Sequence, residues 1–292
     1  HIMEVAARLG YAPNQVARAL STGRYGNIAL IVPDVANPFF PPLIRAAEAR
    51  ADAAGLCVFL GDSDEDPDRE ERLTGKMAAQ VDGFVLASSR LGEDAVRSLR
   101  GRRPVVLVNR DIDGLDRVLI DSAPGTAAAV RHLQELGHRR IAYVGGPPFS
   151  WSNQQRRTAV LRTAGELAVE AVEVAADRPS YEDGMAAAPA VLSARTTAAI
   201  AFDDLVAQGL MAGLAELGID VPAGFSVIGC DDVLGARTYP PLTTISARST
   251  DAGRTAIEML LAQIESGPSS GTAQRLDTEL IVRATTAVPP AA

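Results

Sequence analysis

The aromatic, arginine and carboxylate side chains of this 292-residue chain collect where short apolar runs end, a placement suited to holding a polar small molecule. Phe39 and Phe40 follow the apolar run 28–32 inside a proline-rich bend. Their flat faces suit stacking on a sugar ring or a base, with at least one of the two also expected in the core. Asp231 follows the run 226–230, and its carboxylate can accept two hydroxyl hydrogen bonds; Asp232 beside it is an ambiguous neighbour. Asp203 ends the run 198–202, Asn109 the run 105–108 and Asp121 the run 118–120. Ser152 and Arg156 open a helical stretch after Pro147 and Pro148, with Arg157 expected to face solvent. Trp151, the one tryptophan, fits either the same cleft or an exposed loop.

Other chemistries lack their residues. No Ser/His/Asp arrangement or nucleotide fingerprint occurs, and Gly145-Gly146 runs into Pro147-Pro148, which removes the amide donors of a phosphate cradle. His132 and His138 stand at no metal-ligand spacing and read as structural. Asp64-Glu65-Asp66 with Asp68, Glu70 and Glu71 lacks the spacing of a calcium loop and reads as a solvated, helix-starting acidic run. Neither catalysis nor a metal or cofactor is expected.

The elements that must position these residues show as alternating patterns. From residue 28 onward, β-branched runs at 28–32, 56–60, 83–86, 105–108, 118–120, 141–144, 169–174, 198–202 and 226–230 predict strands. Between them, stretches of helical period at 41–54, 68–80, 125–136, 153–167, 181–194, 204–217 and 251–266 predict helices, and Gly55, Gly137 and Gly218 sit where helices should stop. This is the α/β pattern of parallel sheets wrapped by helices. Ile28-Ala29-Leu30-Ile31-Val32-Pro33 and Ile141-Ala142-Tyr143-Val144-Gly145-Gly146 echo each other, so two similar doubly wound lobes are expected, and the length suits two cores.

Composition narrows the setting. With 47% hydrophobic and 22% charged residues, and no apolar run of roughly 18, the chain reads as globular, without a membrane partner. No secretory signal is recognised, so a cytoplasmic address is expected. Cys57 and Cys230 lie in apolar runs and are expected as buried free thiols. A net charge of −8 argues against a nucleic-acid-coating surface; only the first 24 residues, with Arg8, Arg18 and Arg24 against Glu4, lean positive.

In order and spacing, the segments resemble the lactose-repressor (LacI/GalR) family of transcriptional regulators. The resemblance runs from Leu9-Gly10-Tyr11-Ala12-Pro13-Asn14 through Pro33-Asp34-Val35-Ala36-Asn37-Pro38-Phe39-Phe40, Val81-Asp82-Gly83 and Leu136-Gly137-His138-Arg139-Arg140-Ile141. It continues to Ser226-Val227-Ile228-Gly229-Cys230-Asp231-Asp232, Pro241-Leu242-Thr243-Thr244-Ile245 and Leu280-Ile281-Val282-Arg283. It implies two lobes of periplasmic-binding-protein-like type, joined by crossover strands, with an effector cleft between them. Residues 26–122 with 247–274 would form the N-terminal lobe, and 123–246 with 275–292 the C-terminal one. Residues 1–25 would be the end of a DNA-binding headpiece and its hinge helix; the two DNA-reading helices have no counterpart here, so poor DNA affinity is expected of this chain. In the family a hinge leucine wedges into the minor groove; Leu20 falls there, with Val16, Ala17 and Arg18 beside it. The alternative is an apolar i, i+4 face of Val16 and Leu20 docking on the core. The resemblance also implies that Arg156 forks two hydrogen bonds onto the ligand, that Asp203 and Asp231 contact it while Asp204 caps the next helix, and that homodimers form side by side through 41–54, 81–98 and parts of the second lobe. The expected partners are a small-molecule effector, a sugar or sugar derivative rather than a purine, and operator DNA. The competing expectation is a sugar-binding protein of the periplasmic type, against which the missing secretion signal and the segment 11–20 speak.

Overall fold

The computed structural model describes Arg8, residues 24–267 and residues 271–290. Val16, Ala17, Arg18 and Leu20 lie outside the described residues. Two six-stranded sheets form the frame. The first has the strand order β11-β5-β4-β3-β1-β2, in which β1 is Asn27–Val32, β2 Cys57–Asp62, β3 Phe84–Ala87, β4 Val105–Val108, β5 Asp116–Asp121 and β11 Ala273–Asp277. Every neighbouring pair in it is parallel. The second has the order β12-β10-β9-β8-β6-β7, with β6 Arg140–Val144, β7 Glu170–Val174, β8 Ala198–Ala201, β9 Ser226–Asp231, β10 Thr243–Ser246 and an antiparallel edge strand β12, Leu280–Ile281.

The central strands are apolar throughout because helices cover both faces of each sheet. In β1 the residues alternate: Ile28, Leu30 and Val32 pack under α1 (Phe40–Asp52) and α9 (Ser249–Ser266). Ala29 and Ile31 instead face α2 (Pro67–Met77) and α3 (Glu93–Arg100) through Leu73, Val96 and Leu99. The second lobe repeats the scheme. Ile141 and Tyr143 lie against α4 (Ala123–Glu135) and α5 (Trp151–Glu166). Ala142 and Val144 face α6 (Tyr181–Ala186), α7 (Ala188–Ser193) and α8 (Asp204–Glu216).

The chain passes between lobes three times, after β5, after β10 and after β11. The last passage differs from the expected boundary at 274, because β11 stays paired with β5 as far as Asp277. β11 was not foreseen: it is a polar, largely exposed edge strand, Ala-Gln-Arg-Leu-Asp, without apolar alternation. The helix expected over 181–194 is two helices meeting at Ala187, since Pro189 supplies no amide to continue the ladder. Gly55, Gly137 and Gly218 do end helices, at φ of 73°, 101° and 75°. Cys230 is buried but Cys57 is exposed, contrary to expectation, because β2 is an edge strand whose outer positions face solvent. No helix among the described residues is long and apolar enough to cross a membrane.

Candidate functional site

The carboxyl ends of the two sheets face each other across a narrow cleft with a cavity volume of about 30 Å³. The second lobe contributes its charged floor. Ser150 caps α5 by accepting from the Asn153 amide, which starts the helix so that Arg156, one turn on, points over the ends of β8 and β9. The Arg156 guanidinium donates to Asp231 Oδ1 at 3.0 Å and to the Phe202 carbonyl, and lies 4.9 Å from the centre of the Phe202 ring. Arg156 and Asp231 are 5% and 7% exposed. Burial pushes the Asp231 carboxyl well above the usual carboxylate range, against the pull of Arg156. Removing two charges from water is costly even when they pair, so the arrangement is better suited to meeting a polar ligand than to stabilising the fold. Arg156 Nε, moreover, is buried without a hydrogen-bond partner among the described residues.

Asp203, not Asp204, caps α8: its Oδ1 accepts from the Val206 amide. The other oxygen of Asp203 accepts from Asn37 Nδ2 at 2.9 Å, a bond from lobe to lobe. Asp204 turns away from the cleft, where its carboxylate receives the Thr244 hydroxyl and the amides of Val233 and Leu234. The difference arises because Asp203 alone has the extended backbone of a cap, while Asp204 already stands in the first turn.

From the first lobe come the aromatics. Asn37 Oδ1 accepts from the Phe39 amide and shapes the bend after β1, and the rings of Phe39 and Phe40 meet edge to face at 4.9 Å and 89°. Both rings line the cleft and both belong to the core. Asn109 Oδ1 accepts from the Ile120 amide, which fixes the loop after β4. Ser152 lines the opposite wall and is buried. Glu65, Ser88, Asn109 and Asp231, all lining residues, hold φ of 57°, 49°, 52° and 115°. Left-handed backbone at non-glycine residues gathers where the scaffold fixes a site.

Among the candidates from sequence, Phe39, Phe40, Asn109, Ser152, Arg156, Asp203 and Asp231 come together in this cleft. Asp121 does not join them. β5 lies next to the edge strand β11, and its end feeds the first crossover, where Asp121 accepts from the Ala123 amide and stands 3.8 Å from Arg275. Trp151 is half-buried outside the lining, Arg157 pairs with Glu173 at the surface, and Asp232 pairs with Arg283 at 2.6 Å. His138 is held by Thr197 and the Ala287 carbonyl, a structural role.

Sequence reasoning missed Asn37, Glu65, Ser88 and Arg90, which also line the cleft. Arg90 Nε and Nη2 form a fork onto Glu65 at 2.5 and 3.0 Å, and Arg90 Nη1 donates to the Ser88 carbonyl. Behind them Glu70, 1% exposed, accepts from the Arg90 amide; burial raises its carboxyl above the usual range. The acidic run is therefore not uniformly solvated: Asp66 caps α2, whereas Glu65 and Glu70 turn inward. The available signal was position, since Glu65 and Ser88 follow the ends of β2 and β3.

The comparisons with known proteins agree with this architecture. A family described as periplasmic binding protein-like domain matches residues 130–286. The HTH-type transcriptional repressor CytR of Escherichia coli strain K12 is 33% identical over 99% of this chain and 87% of its own length. The ribose operon repressor of Halalkalibacterium halodurans is 30% identical over 98% of this chain and 87% of its own. A LacI family transcriptional regulator from Enterococcus faecalis V583 with bound ribose has a TM-score of 0.81 and 34% identity, covering 90% of this chain and 99% of that one. The lac repressor dimer bound to operator and the anti-inducer ONPF has a TM-score of 0.85 and 25% identity, covering 95% and 99%. Likeness of sequence and of fold thus extends over nearly the whole chain, and this chain belongs to the lactose-repressor (LacI) family of transcriptional regulators.

Proposed function

We propose that this chain is the effector-sensing core of a cytoplasmic transcriptional repressor, which binds a small sugar between its lobes and, as a homodimer, couples that binding to operator DNA. The observation that carries the reading is the buried Arg156–Asp231 pair with Asp203 beside it, facing Phe39 and Phe40 across the cleft. Such a floor offers a sugar both donors and acceptors for its hydroxyls, and the rings cover its apolar face. Phe39, Phe40, Asn109, Ser152, Arg156, Asp203 and Asp231 are the proposed contacts, joined by Asn37. Relatives named as repressors and aligned along almost all of this chain favour a regulator over a periplasmic receptor or an enzyme. Ribose in the related Enterococcus faecalis structure supports a sugar as the effector class. A ligand can act as a switch only by its differential affinity for two lobe arrangements, typically about 1–3 kcal/mol of coupling.

The test is a thermal-shift screen against pentoses, hexoses, disaccharides and nucleobases, since a ligand bound only by the folded state raises the midpoint. A sugar should raise it, and the shift should vanish in Asp231→Asn and Arg156→Lys, which remove a charge or the guanidinium fork while largely keeping side-chain volume. A folded protein whose midpoint no sugar moves would overturn the sugar reading.

A further inference from the structure

We propose that the effector is an uncharged, unphosphorylated sugar, and that Glu65 enforces this by occupying Arg90, the arginine on the first-lobe wall that would otherwise hold a phosphoryl group. The proposal rests on the sugar-effector reading above and narrows it. Two arginines line the cleft, and each already has a carboxylate: Arg156 has Asp231 at 3.0 Å, and Arg90 has both oxygens of Glu65 in a fork. A phosphorylated ligand that takes the fork of Arg90 displaces the Glu65 carboxylate, and the displaced carboxylate then faces the phosphate. Like charges brought together in a desolvated site repel strongly, whereas hydroxyls can add to the pairs without breaking them.

The placement of Glu65 is built rather than incidental. Asp64 and Glu65 both hold left-handed backbone, at φ of 51° and 57°, which turns Glu65 inward after β2. The Glu65 amide donates to the Pro33 carbonyl at 2.8 Å, and Asp64 reaches Arg178 of the other lobe at 2.8 Å. The Glu65 and Arg90 side chains are 15% and 9% exposed, so the pair works in a partly dehydrated setting where charge discrimination is strong. The lobes themselves already meet here, Asn37 donating to Asp203 at 2.9 Å across the cleft.

Calorimetric titration of this chain with D-ribose and D-glucose, and in parallel with ribose 5-phosphate and glucose 6-phosphate, tests the idea. A neutral sugar should bind about 100-fold more tightly than its phosphate. In Glu65→Gln, which keeps the shape and removes the charge, that preference should shrink at least about tenfold as the phosphate gains Arg90. The double variant Glu65→Gln with Arg90→Gln should lose the gain again. Equal or tighter binding of a phosphate by the unaltered chain overturns the proposal and leaves the sugar reading standing; binding of neither class overturns both. A folded Glu65→Gln with an unchanged preference removes Glu65 from the account.

Discussion

Asp204 stands next to a cleft residue yet faces the interior, and its chemistry differs accordingly. It is 3% exposed, and burial pushes its carboxyl up to about 6, against the hydrogen bonds from Thr244 and the Leu234 amide. A carboxyl that holds its proton more tightly when folded favours the native state most below the unfolded value of 3.8, and that contribution is lost as pH rises to about 6. Two units correspond to about 3 kcal/mol. Asp204→Asn, in which the amide can face Thr244 and the oxygen the two backbone donors, should therefore gain up to about 3 kcal/mol relative to the parent chain between pH 4 and pH 7. Urea unfolding at both values measures it, and a difference independent of pH would mean that this carboxyl does not titrate in that window. At Arg156 the expectation is larger: Arg156→Ala leaves Asp231 buried without its cation, which costs about 3–5 kcal/mol of stability where that carboxyl is ionised and less in acid, where it takes up a proton.

Helices reach their positions through close contacts that only small residues permit. α6 and α8 cross glycine to backbone: a Cβ on Gly209 would meet the Tyr181 carbonyl oxygen at 1.9 Å, and one on Gly184 would meet the Val206 carbonyl oxygen at 2.3 Å. α9 approaches α1 in the same manner, with Gly253 over the Leu43 carbonyl. Backbone cannot yield as a flexible side chain does, so Gly209→Ala should cost about 1–3 kcal/mol, read as a lower unfolding midpoint. The crossing also bears on the cleft, because α8 begins at Asp203. If the helices separate in that variant, sugar affinity should fall along with stability; a stable variant with unchanged affinity would show that the α6–α8 contact is not needed to hold Asp203 in place.

At the scale of the molecule, the lobes are tied across the cleft, among the described residues, by the buried Asn37–Asp203 bond and the exposed Arg178–Asp64 pair. The exposed pair is worth little in water, so the buried bond is the stronger latch. Asn37→Ala should shift the ligand-free chain toward open arrangements. Small-angle scattering should then show a larger radius, and sugar affinity should fall about fivefold, the effect of about 1 kcal/mol. An unchanged radius would mean that the three crossover segments alone set the lobe angle.

The alternating apolar runs, the echo between residues 28–33 and 141–146, and the glycines at helix ends sufficed to give the α/β class, two wound lobes and a site at the strand ends. These signals are local: a strand buried on both faces must be apolar along its length, and a helix end needs a residue tolerant of left-handed backbone. Phe39, Phe40 and Asp203 were legible because each stands between a strand and the next helix or at that helix's start, Asp231 because it ends β9, and Arg156 because the family resemblance implies it. Only the tertiary structure decided that Asp203 caps and Asp204 turns inward, that Asp121 belongs to a crossover, and that Glu65 leaves its acidic run to neutralise an arginine 25 residues away. Those outcomes depend on which strand lies at a sheet edge and which backbone turns at φ near 57°, and neither strand order nor a single left-handed residue leaves a periodic trace in sequence.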